Sequence, residues 1–321
     1  MRPQSLKMDR NGHIEPFSMG GRHPFPGSSL ILLVHGYNND QYEAAGSFYR
    51  MRCNLDNILS FSGLPESVRR NAQEHIWEFF WPGYQPIPVM NPQARRRSWG
   101  ETVISATSYS HEVRKARSWV SENLFKYLLQ IQPADIFFIS HSLGCRVVLE
   151  TVRGLQESLL TRISVRGFLL MAAAVPVHLL RPGGPLRPSA EIPPKKYCLY
   201  SRRDMVLFLA FPPGELFSGE APIYGSPIAI GRHGWPSSMF SSRENTSLGH
   251  GDYWTKGVFS QESHNLGEIC AGIFGFAIDR KLANVNIPVA PEARRFSILP
   301  ENQLVSTALP GTGWLSEYSQ Y

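Results

Sequence analysis

The stretch Asp135-Ile136-Phe137-Phe138-Ile139-Ser140-His141-Ser142-Leu143-Gly144-Cys145-Arg146-Val147-Val148-Leu149 decides how this chain folds. Its first five residues read as a strand, because an unbroken apolar run with no polar alternation needs cover on both faces. From Leu143 to about Leu159 the pattern is helical. Only a few residues separate the two, so the chain must turn sharply around Ser142. Such a turn admits only small side chains two positions to either side. Gly144 meets that condition, and Ser140 is small enough to meet it.

Working outward, the same alternation recurs. Leu30-Ile31-Leu32-Leu33-Val34 is a buried strand ending at His35-Gly36-Tyr37-Asn38, and a helix is expected over about Tyr42 to Ser60. Ile76 to Trp81 is the next strand, stopped by Pro82-Gly83. A proline-rich loop, Tyr84 to Arg97, leads to a long helix over about Ser105 to Gln130. After the Ser142 turn come a strand over Val165–Val175 and another over Tyr197–Tyr200. Alternating apolar strands and helices imply an α/β chain with a mostly parallel central sheet and helices on both faces. In such a sheet, active groups gather at the carboxyl ends of the strands. Residues 1–29 are expected as an extension, with a hairpin closed at Asn11-Gly12 between Ser5–Arg10 and His13–Ser18. The main domain is expected over 30–270. Beyond Arg203 the order loosens: Phe211-Pro212-Pro213-Gly214 and Gly231 to Pro236 read as loops, and 271–321 as a C-terminal extension of unknown role.

Composition narrows the classes. The chain has 321 residues, 42% hydrophobic and 18% charged, which allows a large core and excludes wholesale disorder. The longest apolar stretch, Phe168 to Leu180, is broken by Pro176 and His178 and is too short to span a bilayer. No apolar segment follows the N-terminal residues, so a cytoplasmic location is expected. Four cysteines, Cys53, Cys145, Cys198 and Cys270, lack C-x-x-C spacing, which argues against a zinc ribbon or a disulfide scaffold. Neither a metal nor an organic cofactor is expected. The net charge is +6, with arginine pairs or triplets at Arg69-Arg70, Arg95-Arg96-Arg97, Arg202-Arg203 and Arg294-Arg295. No aromatic-interleaved basic motif accompanies them, so they read as solvated surface rather than a nucleic-acid face, with at most weak contact to a membrane surface.

The residues after the strand ends carry the chemistry. A serine lifted above a sheet on a strand-to-helix turn resembles a nucleophile elbow of the form G-x-S-x-G. A hydroxyl needs a base, usually histidine, held by a carboxylate. Asp204 follows the Tyr197–Tyr200 strand and is the favoured acid; Glu215 and Glu220 are runners-up, and Asp135 lies at the wrong end of its strand. His250, flanked by Gly249 and Gly251, is favoured as base over His233 and His264. Two backbone N–H groups, of Leu143 and Tyr37, are the expected oxyanion donors. His35, Gly36, Tyr37, Trp81 and His141 are expected to line the substrate site, with Tyr84 and Trp235 as further aromatic candidates. Phe211–Pro222 and Pro86–Arg97 are candidate caps. Cys145 and Cys198 read as small buried hydrophobes, and Met171-Ala172-Ala173-Ala174 as core packing.

Several ordered motifs agree with one family. Val34-His35-Gly36-Tyr37-Asn38, Trp81-Pro82, Ser140 to Gly144 followed by Arg146-Val147, and Gly249-His250 with Tyr253-Trp254 make the chain resemble an α/β-hydrolase-fold serine hydrolase. More narrowly, it is similar to a bacterial esterase/lipase-like branch of uncharacterised function. The resemblance covers about Leu30 to Trp254. It implies a Ser142–Asp204–His250 triad and cleavage of a carboxylic ester in a small-molecule or lipid-like substrate. The alternatives are a lipase or phospholipase, a thioesterase or an acyltransferase. A non-catalytic binding module is the remaining alternative, and the intact order of Ser, Asp and His argues against it.

Overall fold

In a computed structural model of the chain, the described residues are 4–17, 23, 24, 26–37, 41–61, 66–83, 109–158, 162–220 and 227–254. Eight strands, β1 (Gln4–Met8), β2 (Ile14–Pro16), β3 (Ser29–Val34), β4 (Ile76–Phe80), β5 (Asp135–His141), β6 (Ser164–Met171), β7 (Lys195–Tyr200) and β8 (Ser242–Asn245), form one sheet. Their order is β2-β1-β4-β3-β5-β6-β7-β8. Every neighbouring pair is parallel except β1 and β2. Leu30–Val34 of β3 and Ile136–His141 of β5 are all buried. Successive side chains point to opposite faces, so both faces of the central strands are covered.

The helices follow the apolar spacing. After β3 comes α1 (Gln41–Phe61), then α2 (Glu66–Glu74). A long helix, α3, covers 109–131; a π-helical turn occupies Ala116–Val120 before the α-helical Ser121–Ile131. The helix after the Ser142 turn, α4, is Gly144–Glu157, with Val147, Val148, Val152 and Leu155 buried. It packs on α3 and on β5. Each such apolar side chain taken from water contributes about 1.5–3 kcal/mol. Among the described residues, no helix is long and apolar enough to cross a membrane.

Three regions differ from the sequence reading. Residues 4–16 are not an appendage to the sheet: the hairpin turns at Asn11-Gly12 as expected, but β1 pairs with β4 and buries Leu6 and Met8. Phe211-Pro212-Pro213-Gly214 is not a loop but the first turn of α7 (Phe211–Ser218), which follows α6 (Met205–Leu209). Prolines are tolerated there because first-turn N–H groups have no helical partner. The segment around Gly231 likewise begins as a short helix, α8 (Ile230–His233), after the small α5 (Arg187–Glu191) earlier in the chain. Tyr84, the Pro86–Arg97 segment, His264, Cys270 and 271–321 lie outside the described residues.

Candidate active site

The strand ends deliver the expected groups to one edge. β5 leads into Ser142, whose φ is +53°, the left-handed region that L residues enter at a cost. Neighbouring backbone holds it there. Ser142 N–H donates to Met171 O at 2.9 Å, and its carbonyl accepts from Cys145 and Ala174 N–H at 3.1 Å. Two glycines let this turn press against the end of β3. A Cβ on Gly144 would sit 2.3 Å from His35 O and 2.7 Å from Val34 O, and one on Gly36 would sit 2.7 Å from Ser142 Cβ. Ser140, at the first glycine position of the G-x-S-x-G form, is buried, with its hydroxyl against Cys145 Sγ and Leu169 O. Among the described residues, the Leu143 N–H at the start of α4 has no acceptor.

Asp204 and His250 arrive from the ends of β7 and β8. Asp204 is fully buried and caps α6: Oδ1 accepts from Leu207 N–H at 2.9 Å. Its Oδ2 lies 2.8 Å from His250 Nδ1. A carboxylate only accepts, so Nδ1 carries the proton. That leaves His250 Nε2 to accept from Ser142 Oγ, 2.9 Å away. Residues 108 positions apart in sequence are thus joined through one imidazole.

Two further histidines hold the frame. His35 Nδ1 donates to Gly36 O at 2.8 Å, and its Nε2 accepts from Trp81 N–H at 3.2 Å. Trp81 returns its indole N–H to His35 O at 2.9 Å and stacks on the ring at 5.3 Å. A trans peptide points C=O and N–H oppositely, so fixing Gly36 O turns Tyr37 N–H to the other side. Trp81 is therefore a buried clamp on His35 rather than an exposed wall. His141 Nε2 donates to His250 O at 2.7 Å, while its buried Nδ1 has no partner among the described residues. Burial pushes His35 down to about 4, against hydrogen bonds to Gly36 and Trp81 that act the other way. Burial, with His250 beside it, pushes His141 down to about 3. Both imidazoles are neutral at ordinary pH.

A buried charge cluster lies behind the turn. Arg146, 2% exposed, binds Glu150 Oε1 and Glu220 Oε1, each at 2.8 Å, and Glu220 also meets Arg117. Glu215 faces inward on α7 and accepts from Ser218 Oγ at 3.2 Å. Burial raises its carboxyl to about 7, against the pull of Arg146. The Tyr109 ring sits 5.7 Å from that of Tyr37. The runner-up acids are thus engaged elsewhere, Asp135 pairs with Arg166, and His233 stacks on Trp235. The sequence marks Arg146 only as part of the motif after the Ser142 turn and offers no signal for Tyr109 as a site neighbour; a lone Arg in an apolar helical run, Cys145-Arg146-Val147-Val148-Leu149, points to the buried charge cluster. Cys145 and Cys198 are buried, as expected.

These groups set an acid response. Between pH 6.5 and about 4 the unfolded chain protonates residues 35 and 141 and the folded chain does not, so stability falls as pH falls. Glu215 works the other way, because below about 7 the folded chain holds the extra proton. Glu215→Gln removes that offset. It is expected to steepen the loss between pH 6.5 and 5 by about 1.4 kcal/mol per pH unit. Urea midpoints at three pH values read this directly; parallel slopes for the two chains would refute it.

Among the described residues, no group of three or more His, Cys, Asp or Glu side chains could hold a metal ion. No family model and no curated protein matches the chain. Among solved structures, the product of the lin2722 gene from Listeria innocua is similar over 78% of this chain and 94% of its own, at 9% identity and a TM-score of 0.37.

Proposed function

We propose that the chain is a serine hydrolase that cleaves carboxylic esters through an acyl-enzyme on Ser142, of the bacterial α/β-hydrolase type its motifs resemble. One observation carries the reading. Ser142 Oγ, His250 and Asp204 Oδ2 form a hydrogen-bonded line of 2.9 and 2.8 Å at the carboxyl edge of a parallel sheet. Nothing in the packing of the sheet needs all three.

In this reading Ser142 Oγ attacks the ester carbonyl as His250 Nε2 takes its proton. Asp204 keeps Nδ1 protonated and stabilises the imidazolium. The oxyanion accepts from Leu143 N–H and Tyr37 N–H, the second aimed by the His35 clamp. His250 then returns the proton to the departing alcohol. Water, activated by the same imidazole, frees the acid and restores the hydroxyl. The amides act because they are in place before charge develops, each worth about 3–4 kcal/mol in the transition state.

A fluorophosphonate probe tests this. It is expected to add one adduct per chain, on the peptide containing Ser142, and none to Ser142→Ala. No adduct on the folded protein, or an adduct on another residue, would overturn the reading.

A further inference from the structure

The two helices that follow Asp204 leave most of their large apolar side chains exposed. In α6, Met-Val-Leu-Phe-Leu, only Leu207 is buried; Met205, Val206, Phe208 and Leu209 are 39–49% exposed. In α7 Phe211, Glu215 and Ser218 face the core, and Leu216 and Phe217 face outward at 53% and 62% exposure. An ordinary surface helix does the reverse. Six large apolar side chains thus share two helices packed against each other, beginning one residue from the triad acid. Contiguous apolar surface of this kind marks a contact site.

The charge around it identifies the partner. Arg202 and Arg203 are exposed at the start of α6, and the Arg232 guanidinium lies 4.0 Å over the Phe208 ring. Between 201 and 219 the two carboxylates, Asp204 and Glu215, are both fully buried. The outward face is apolar and cationic, with no exposed acid on that segment. It complements an apolar layer beneath a negative surface.

We infer that α6 and α7 dock the protein on an anionic phospholipid surface, which presents acyl esters to Ser142. The delivery half of this rests on the hydrolase reading; the docking half does not.

The test uses full-length Ser142→Ala, so that no lipid is consumed. It is expected to sediment with phosphatidylglycerol/phosphatidylcholine vesicles and much less with phosphatidylcholine alone. Adding Leu216→Ser and Phe217→Ser should lower partitioning about tenfold or more. Adding Arg202→Gln and Arg203→Gln should lower it about tenfold and erase the preference for the anionic vesicle. In the chain that keeps Ser142, Leu216→Ser with Phe217→Ser should leave turnover of a soluble ester unchanged. No vesicle binding, equal binding by parent and both variants, or a dimer that dissociates on Leu216→Ser/Phe217→Ser would overturn the docking face; the last would assign it to a second copy. Vesicle binding by a protein inert to probe and soluble ester would instead defeat only the hydrolase reading.

Discussion

Ser142→Ala is expected to lower turnover of a soluble activated ester by about a millionfold, the scale seen when a triad nucleophile is removed. His250 would keep its hydrogen bond to Asp204 but would face no hydroxyl. The Leu143 and Tyr37 amides would still bind a carbonyl, so a residual rate above the uncatalysed one should remain. A second variant separates chemistry from architecture. Residue 142 sits at φ +53°, so alanine keeps the backbone strain, while glycine relieves about 1 kcal/mol of it. Ser142→Gly should be as inactive as Ser142→Ala yet unfold at higher urea. Activity within tenfold of the parent in either variant would end the case for an acyl-enzyme at this position.

Asp204→Asn should cost about ten-thousandfold in rate with little change in stability. Asparagine is as good a helix cap as aspartate, so its Oδ1 can still accept from Leu207 N–H. The amide on the other side would donate toward His250 Nδ1, where the carboxylate accepted. The imidazole would then carry its proton on Nε2 and could no longer accept from Ser142. Steady-state rates beside urea unfolding of the same preparations check both halves. A rate loss matched by a loss of several kcal/mol in stability would mean that Asp204 is only a cap.

Much of this was legible in the sequence, and for a stated reason. β3, β5 and β6 are central strands, covered on both faces, so they announce themselves as unbroken apolar runs, and the residues just past them fall at one edge of the sheet. That places residues 36 and 142 just past β3 and β5, while Asp204, past β7, is favoured over Glu215 and Glu220 by its place after a strand. The peripheral strands gave no such signal. Ser242-Arg243-Glu244-Asn245 is polar, because β8 is an edge strand with one neighbour. β1, Gln4-Ser5-Leu6-Lys7-Met8, mixes its residues for a similar reason: its other neighbour is only the short β2. Pro212-Pro213 read as a breaker, although at the first turn of α7 proline forfeits no hydrogen bond. Least legible were the contacts made by backbone. The bond from His141 to the carbonyl of His250 depends on the end of β5 meeting the loop after β8, which no local pattern encodes.

The two glycines at the junction of β3 and the Ser142 turn bear on any attempt to redesign the protein. Since a methyl group at 36 or 144 would have to occupy space already filled by Ser142 or by the His35 carbonyl, the loops cannot be remodelled one at a time. They behave as a single machined part. A library meant to broaden substrate choice should therefore hold both positions constant and vary the two loops together.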